Sequence, residues 1–92
     1  MSDVITAVTA SGLIYTGRGY VAGLVVTANV GNPQVTIYDN TTVGGTTIFT
    51  SYAGVNQPII IFFPEAFSPR FSIGLYIVLG TGMVATVWSR QL

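Results

Sequence analysis

Turn residues interrupt this chain so often that no long helix fits between them. Gly17 with Gly19, "NVGNP" at 29–33, "DNTTVGG" at 39–45, "AGVNQP" at 53–58, "FSP" at 67–69 and "GTG" at 80–82 each separate two apolar, β-branched or aromatic runs. Spacings of this kind, about 8 to 12 residues, belong to sandwiches and barrels. Nowhere do apolar residues recur at i, i+3, i+4 and i+7 over three turns with a polar opposite face, so no helix is expected. Strands are expected near 4–9, 12–16, 20–28, 34–39, 46–52, 57–63, 71–79 and 83–89. Short connections favour antiparallel neighbours, because parallel strands need long crossovers. The expectation is an all-β fold: one antiparallel β-sandwich over residues 1–92, about eight strands, jelly-roll-like or immunoglobulin-like.

Ninety-two residues make one small domain. Area scaling gives a folded surface of roughly 5,100 Å², enough for one core. Two strands are apolar on both faces. In "PIIIFFP", Ile59, Ile61 and Phe63 alternate with Ile60 and Phe62; in "IGLYIVLG", Leu75, Ile77 and Leu79 alternate with Tyr76 and Val78. A two-layer sandwich buries one face of each strand, so the second face calls for another cover, and a neighbouring subunit is the simplest. Pro58 and Pro64 bracket the first of these runs, and proline, lacking an N–H, belongs at strand ends or sheet edges.

Charge sharpens the argument. Asp3, Asp39, Glu65, Arg18, Arg70 and Arg90 are the whole inventory, 7% of the chain, against about 25% in ordinary domains. Twelve Thr, six Ser, four Asn and three Gln supply most of the remaining polarity, and mean hydropathy is +0.66. With zero net charge, little repels one copy from another, and a subunit of an assembly is expected. The same balance, with no Lys, removes the electrostatic basis for nucleic-acid binding.

The N-terminal "MSDVITAV" lacks the basic and apolar blocks of a secretory leader. Residues 71–89 run for nineteen residues without a charge, long enough for a membrane span. "GTG" at 80–82 divides them as a hairpin turn would, so no membrane association is expected.

Chemistry has few places to reside. With no His, Cys or Lys, imidazole bases, thiolates and Schiff-base amines are missing. Asp3, Asp39 and Glu65 show no pattern that would bring two carboxylates to one bond. Neither catalysis nor a cofactor is expected. Asp39 and Asn40 admit two readings: part of an oxygen site for Ca²⁺, or side chains whose hydrogen bonds shape the turn that follows. The second is preferred, since a hard cation wants six to eight oxygens. "TGRGY" at 16–20 lacks the further glycines and following helix of a phosphate loop, which leaves Arg18 as an exposed turn contact. Arg70 and Arg90 have the same status, as candidates for carboxylates across a subunit boundary. Glu65, Tyr76 and Trp88 complete the candidate interface. The eleven aromatic residues fit core and interface packing, or a sugar-binding platform if their rings stand exposed in a row.

"VTIYDNTTVGGTTIF" (35–49) and "FSIGLYIVLGTGMVATVW" (71–88) resemble segments of small β-sandwich proteins encoded among the head genes of tailed bacteriophages, the capsid decoration or cement proteins and the base domains of head fibres. The resemblance covers about a third of the chain directly. It implies a structural virion protein on the outer surface of the capsid, a homotrimer bound to the major capsid protein lattice, with no catalytic residues. The competing function is a receptor- or glycan-binding module of a phage fibre or tail.

Overall fold

A computed structural model describes residues 4–31, 33–55 and 57–91; Asp3 lies outside the described residues. Among the described residues nine strands form two antiparallel sheets: β1 Val4–Val8, β2 Gly12–Thr16, β3 Gly19–Ala28, β4 Gln34–Asp39, β5 Thr46–Tyr52, β6 Ile59–Phe62, β7 Arg70–Phe71, β8 Gly74–Leu79 and β9 Met83–Gln91. Among the described residues the one helical element is a single 3-10 turn, Glu65–Phe67. The front sheet has the order β1-β9-β3-β6, with β7 also on β3, and the back sheet β2-β8-β4-β5.

The pairing has a simple logic. β4 pairs with β5, β3 with β6 and β7, β2 with β8, and β1 with β9. These are the rungs of one long antiparallel ribbon bent at the β4–β5 turn. Rolling that ribbon adds two further pairings, β3 with β9 and β4 with β8, which complete the two sheets. A rolled ribbon of this kind is a jelly roll. An immunoglobulin-like sandwich would place the first two strands side by side in one sheet; here they lie in opposite sheets.

This order corrects the expectation that short connections join sheet neighbours. Among consecutive strands only β4 and β5 pair with each other. "GTG" at 80–82 is an arch from the back sheet to the front sheet, not a hairpin turn. Packed sheets stand about 10 Å apart, a gap that a three-residue connection spans as readily as it reverses a strand. Gly82 takes a positive φ of 77°, a conformation that Gly adopts without steric cost. The Gly80 N–H donates to the Gln34 carbonyl and ties the arch to the start of β4.

A second correction concerns residues 71–79. The chain leaves the front sheet after β7 and enters the back sheet at β8, with Ser72 and Ile73 between them. The charge-free stretch 71–89 therefore supplies strands to both sheets, and no helix among the described residues is long and apolar enough to cross a membrane.

Between the sheets sits one core. Val21, Leu24, Val26 and Val87 of the front sheet and Val35, Ile37, Leu75 and Ile77 of the back sheet have no exposed surface. Edge-to-face ring pairs, Tyr15 with Phe71 and Phe49 with Phe63, pack at its margins. Exposed surface totals 4898 Å², close to the value expected from mass. β6 is an edge strand flanked by Pro58 and Pro64, where a missing N–H costs no ladder hydrogen bond.

Candidate interface and its arginine rim

Side chains alternate across each strand, so the register assigns the outer face of the front sheet. Ile5 of β1 pairs with Trp88 of β9, Trp88 with Gly23 of β3, and Gly23 with Phe62 of β6. The next row is Ala7, Thr86, Val25 and Ile60. Ile5, Ile60 and Phe62 are each more than 60% exposed, and Val84 of the same face is also exposed. Phe62 stands edge-to-face on Trp88 at 5.2 Å between centroids. Gly23 makes that approach possible, because a Cβ there would overlap the Phe62 ring. The expectation that β6 is apolar on both faces holds: Ile59 and Ile61 are half-buried toward the core while Ile60 and Phe62 face out.

At one end the same face turns cationic. Tyr20 of β3 pairs with Arg90 on one side and Arg70 on the other. Both guanidinium groups lie over its ring, at 5.2 Å for Arg70 and 5.8 Å for Arg90. Tyr20 is thereby buried at an outward-facing position. The long side chains cover the ring with their apolar stems and hold charge over its electron-rich face, each contact contributing about 0.5–1 kcal/mol near solvent. Arg18 precedes this strand and is exposed. All three cations of the chain therefore gather around Gly19 and Tyr20.

A shallow hollow of about 370 Å³ opens there, lined by Arg18, Gly19, Asp39, Arg70, Phe71 and Ser72. Asp39 ends β4 and faces the break between β7 and β8. Its Oδ1 accepts the N–H groups of Ser72 at 3.0 Å, Ile73 at 2.8 Å and Gly74 at 3.3 Å, and its Oδ2 accepts the Ser72 hydroxyl at 3.1 Å. Three successive amides converging on one oxygen form an anion nest. They lie where the chain changes sheets, and the carboxylate satisfies them there. Burial pushes the Asp39 carboxyl up, but the donors from Ile73, Ser72 and Gly74 outweigh it, and the net pKa lies below the ordinary carboxylate value.

The turn-shaping reading of Asp39 needs a different turn: it holds residues 72–74, not the loop that follows it. That loop is shaped by Asn40, whose Oδ1 accepts the Thr41 N–H at 2.8 Å and whose Nδ2 donates to the Gly44 carbonyl at 3.3 Å. Both oxygens of Asp39 are engaged by these donors, and no group of three or more His, Cys, Asp or Glu side chains that could hold a metal ion occurs among the described residues.

The remaining candidates divide by face. Arg70, Arg90 and Trp88 share the outer face of the front sheet. Glu65 sits exposed in the 3-10 turn, and its carbonyl, not its carboxylate, accepts a long 3.5 Å contact from Arg70. Tyr76 lies on the opposite side of the molecule, beside Tyr38 on the outer face of the back sheet. Sequence reasoning passed over Tyr20 and Ile5. The Gly-Tyr pair in "TGRGY" was the available signal, but only the register shows that two arginines flank it. Comparison of the chain with protein families, with curated proteins and with solved structures gives no match.

Proposed function

We propose that this protein is a structural subunit of a virion: a capsid decoration or cement protein of a tailed bacteriophage that binds the assembled major capsid protein lattice from outside as a homo-oligomer, a trimer on the resemblance. One observation carries the reading. The outer face of the front sheet exposes Ile5, Ile60, Phe62 and Val84 together, in a chain with six charged side chains to keep copies apart. A contiguous apolar face of that kind marks an interaction surface. A jelly roll is compatible with this use, as such sandwiches occur in viral capsid and lectin domains.

A ligand that binds only the intact shell stabilises it by RT ln(1 + [L]/Kd), about 2.7 kcal/mol at a hundredfold excess over Kd. Particles carrying the protein are expected to survive heating and osmotic shock that open particles lacking it, while assembly proceeds in both. Equal survival overturns the reading.

The alternative, a receptor- or glycan-binding module of a fibre, has its own observation. Tyr38 and Tyr76 are register partners on the outer face of the back sheet, with Thr36, Thr47 and Thr50 around them. Both rings are half-buried, and sugars stack on open ring faces, so this reading ranks second. Quenching or shift of tyrosine fluorescence by oligosaccharides would bring it forward.

A further inference from the structure

We propose that the hollow between Arg18 and Arg70 is a binding site for an oxyanion, and that its occupant is a carboxylate from an acidic segment of the protein surface on which the front sheet docks. Arg18 and Arg70 line one concavity, and guanidinium forks match the two oxygens of a carboxylate. Among the described residues neither arginine has a carboxylate partner. Arg70 is oriented by the Tyr20 ring at 5.2 Å, so one donor is held in place before anything binds. Asp39 also lines the hollow. Its oxygens already accept three amides and a hydroxyl from residues 72–74. Two guanidinium groups against that single carboxylate leave the hollow net cationic.

The position points to the source of the anion. Arg70 and Tyr20 form a row at the end of the face that also carries Trp88, Gly23 and Phe62. A partner seated on the apolar rows would meet the arginines at its edge, where a charge pair fixes register and speeds encounter. The strands of this face carry no carboxylate of their own among the described residues, and the nearby Glu65, exposed in the 3-10 turn, meets Arg70 through its carbonyl. The oxyanion site stands on the geometry alone. That its carboxylate comes from the docking surface rests on the virion reading.

The test uses the isolated full chain, so its outcome is separate from that of shell stabilisation. An oligoglutamate peptide and inorganic phosphate are titrated in parallel while the amide resonances of Gly19, Tyr20 and Ser72 are followed by NMR. Oligoglutamate is expected to shift these amides saturably. Affinity should fall at least tenfold in Arg18→Gln and in Arg70→Gln, and it should weaken with added salt. Arg18→Gln changes an exposed turn residue, and an unchanged melting temperature verifies its fold. Arg70→Lys restores charge without the fork and is expected to recover only part of the affinity. The absence of a saturable shift with either probe, or undiminished binding in both glutamine variants, overturns the site. Saturation by phosphate with no response to oligoglutamate overturns the acidic segment as occupant.

Discussion

The two outer faces of this sandwich are built on the same backbone pattern and finished differently. On the front sheet, Ile5, Trp88 and Phe62 line one row and Val25 and Ile60 another, ending in the arginine-flanked Tyr20. On the back sheet the corresponding positions hold Thr36 between Val78 and Thr50, and Tyr38 between Tyr76 and Thr47. Gln34 donates to Thr50 at 2.8 Å, and Thr50 donates in turn to the Val35 carbonyl. A back face that interleaves threonine hydroxyls with Leu13, Tyr38, Tyr76 and Val78 keeps strand propensity while offering water partners, without any charge. The front face keeps the propensity but sets its hydroxyls, Thr27 and Thr86, among apolar neighbours. In a chain this poor in charge, hydroxyl placement decides which side faces solvent and which seeks a partner.

The inner faces, by contrast, should be equivalent, and the largest effects test this. Leu24→Ala in the front sheet and Ile77→Ala in the back sheet each remove a side chain with no exposed surface. Each should cost about 2–5 kcal/mol, lowering the melting temperature in circular dichroism by roughly 10 °C or more for a domain of this size. If one sheet's substitution cost under about 1 kcal/mol, the sheets would not share a common core, and the asymmetry would run deeper than the surface.

Next in size is the front face itself. Ile60 and Phe62 are 63% and 62% exposed, so replacing both by Thr removes little folding energy while retaining β propensity. Self-association, followed by light scattering at micromolar concentration, is expected to be present in the parent chain. It should weaken at least tenfold, about 1.4 kcal/mol, in Ile60→Thr/Phe62→Thr. A parent chain that stays monomeric would show that the face is tolerated bare by this protein and reserved for a different partner.

Asp39 ties the two sheets together where the chain passes between them, and its effect is smaller. Asp39→Asn keeps the shape but replaces a charged acceptor and turns an amide donor toward the nest. The cost should be about 1–2 kcal/mol at neutral pH, discounted for partial exposure. Because the folded pKa is depressed, the carboxylate's contribution is fully present above the unfolded value of about 3.9 and is lost as pH falls through the folded value. Melting temperature should therefore drop in the parent as pH falls below the unfolded value of about 3.9, and change less in Asp39→Asn. Parallel pH curves would remove Asp39 from the acid response.

Much of this architecture was legible. Strand positions followed from alternation between turn clusters, and the two-faced character of β6 from consecutive Ile and Phe. The sheet assignment was not, because "GTG" at 80–82 has the length and composition of a hairpin turn and only the packing makes it an arch. Asp39 could be read as a turn-shaping carboxylate, but its donors lie 33 to 35 residues away, beyond any local pattern. Likewise the convergence of Arg70 and Arg90 on Tyr20 depends on the register of three strands. Local alternation says which residues face the same way, and nothing about which strands become neighbours.

The smallest effect is the most direct comparison of the faces: one lysine placed on each. Thr47 is exposed on the back sheet, opposite Tyr38; Thr86 is outward on the front sheet, between Ala7 and Val25. Both are Thr in a strand, so propensity and backbone geometry change alike, and what differs is the surface around the new charge. Thr47→Lys enters a hydroxyl-rich, hydrated face and should alter stability by no more than about 0.5 kcal/mol, with self-association unchanged. Thr86→Lys places an ammonium among Ile5, Val25, Ile60 and Trp88, where a partner would have to desolvate it, so association should fail while the isolated domain still folds. Light scattering and thermal melts on the two variants read both quantities. If Thr47→Lys abolished association as fully as Thr86→Lys, the copies would be held through both faces or by net charge alone, and the apolar rows of the front sheet would lose their special standing.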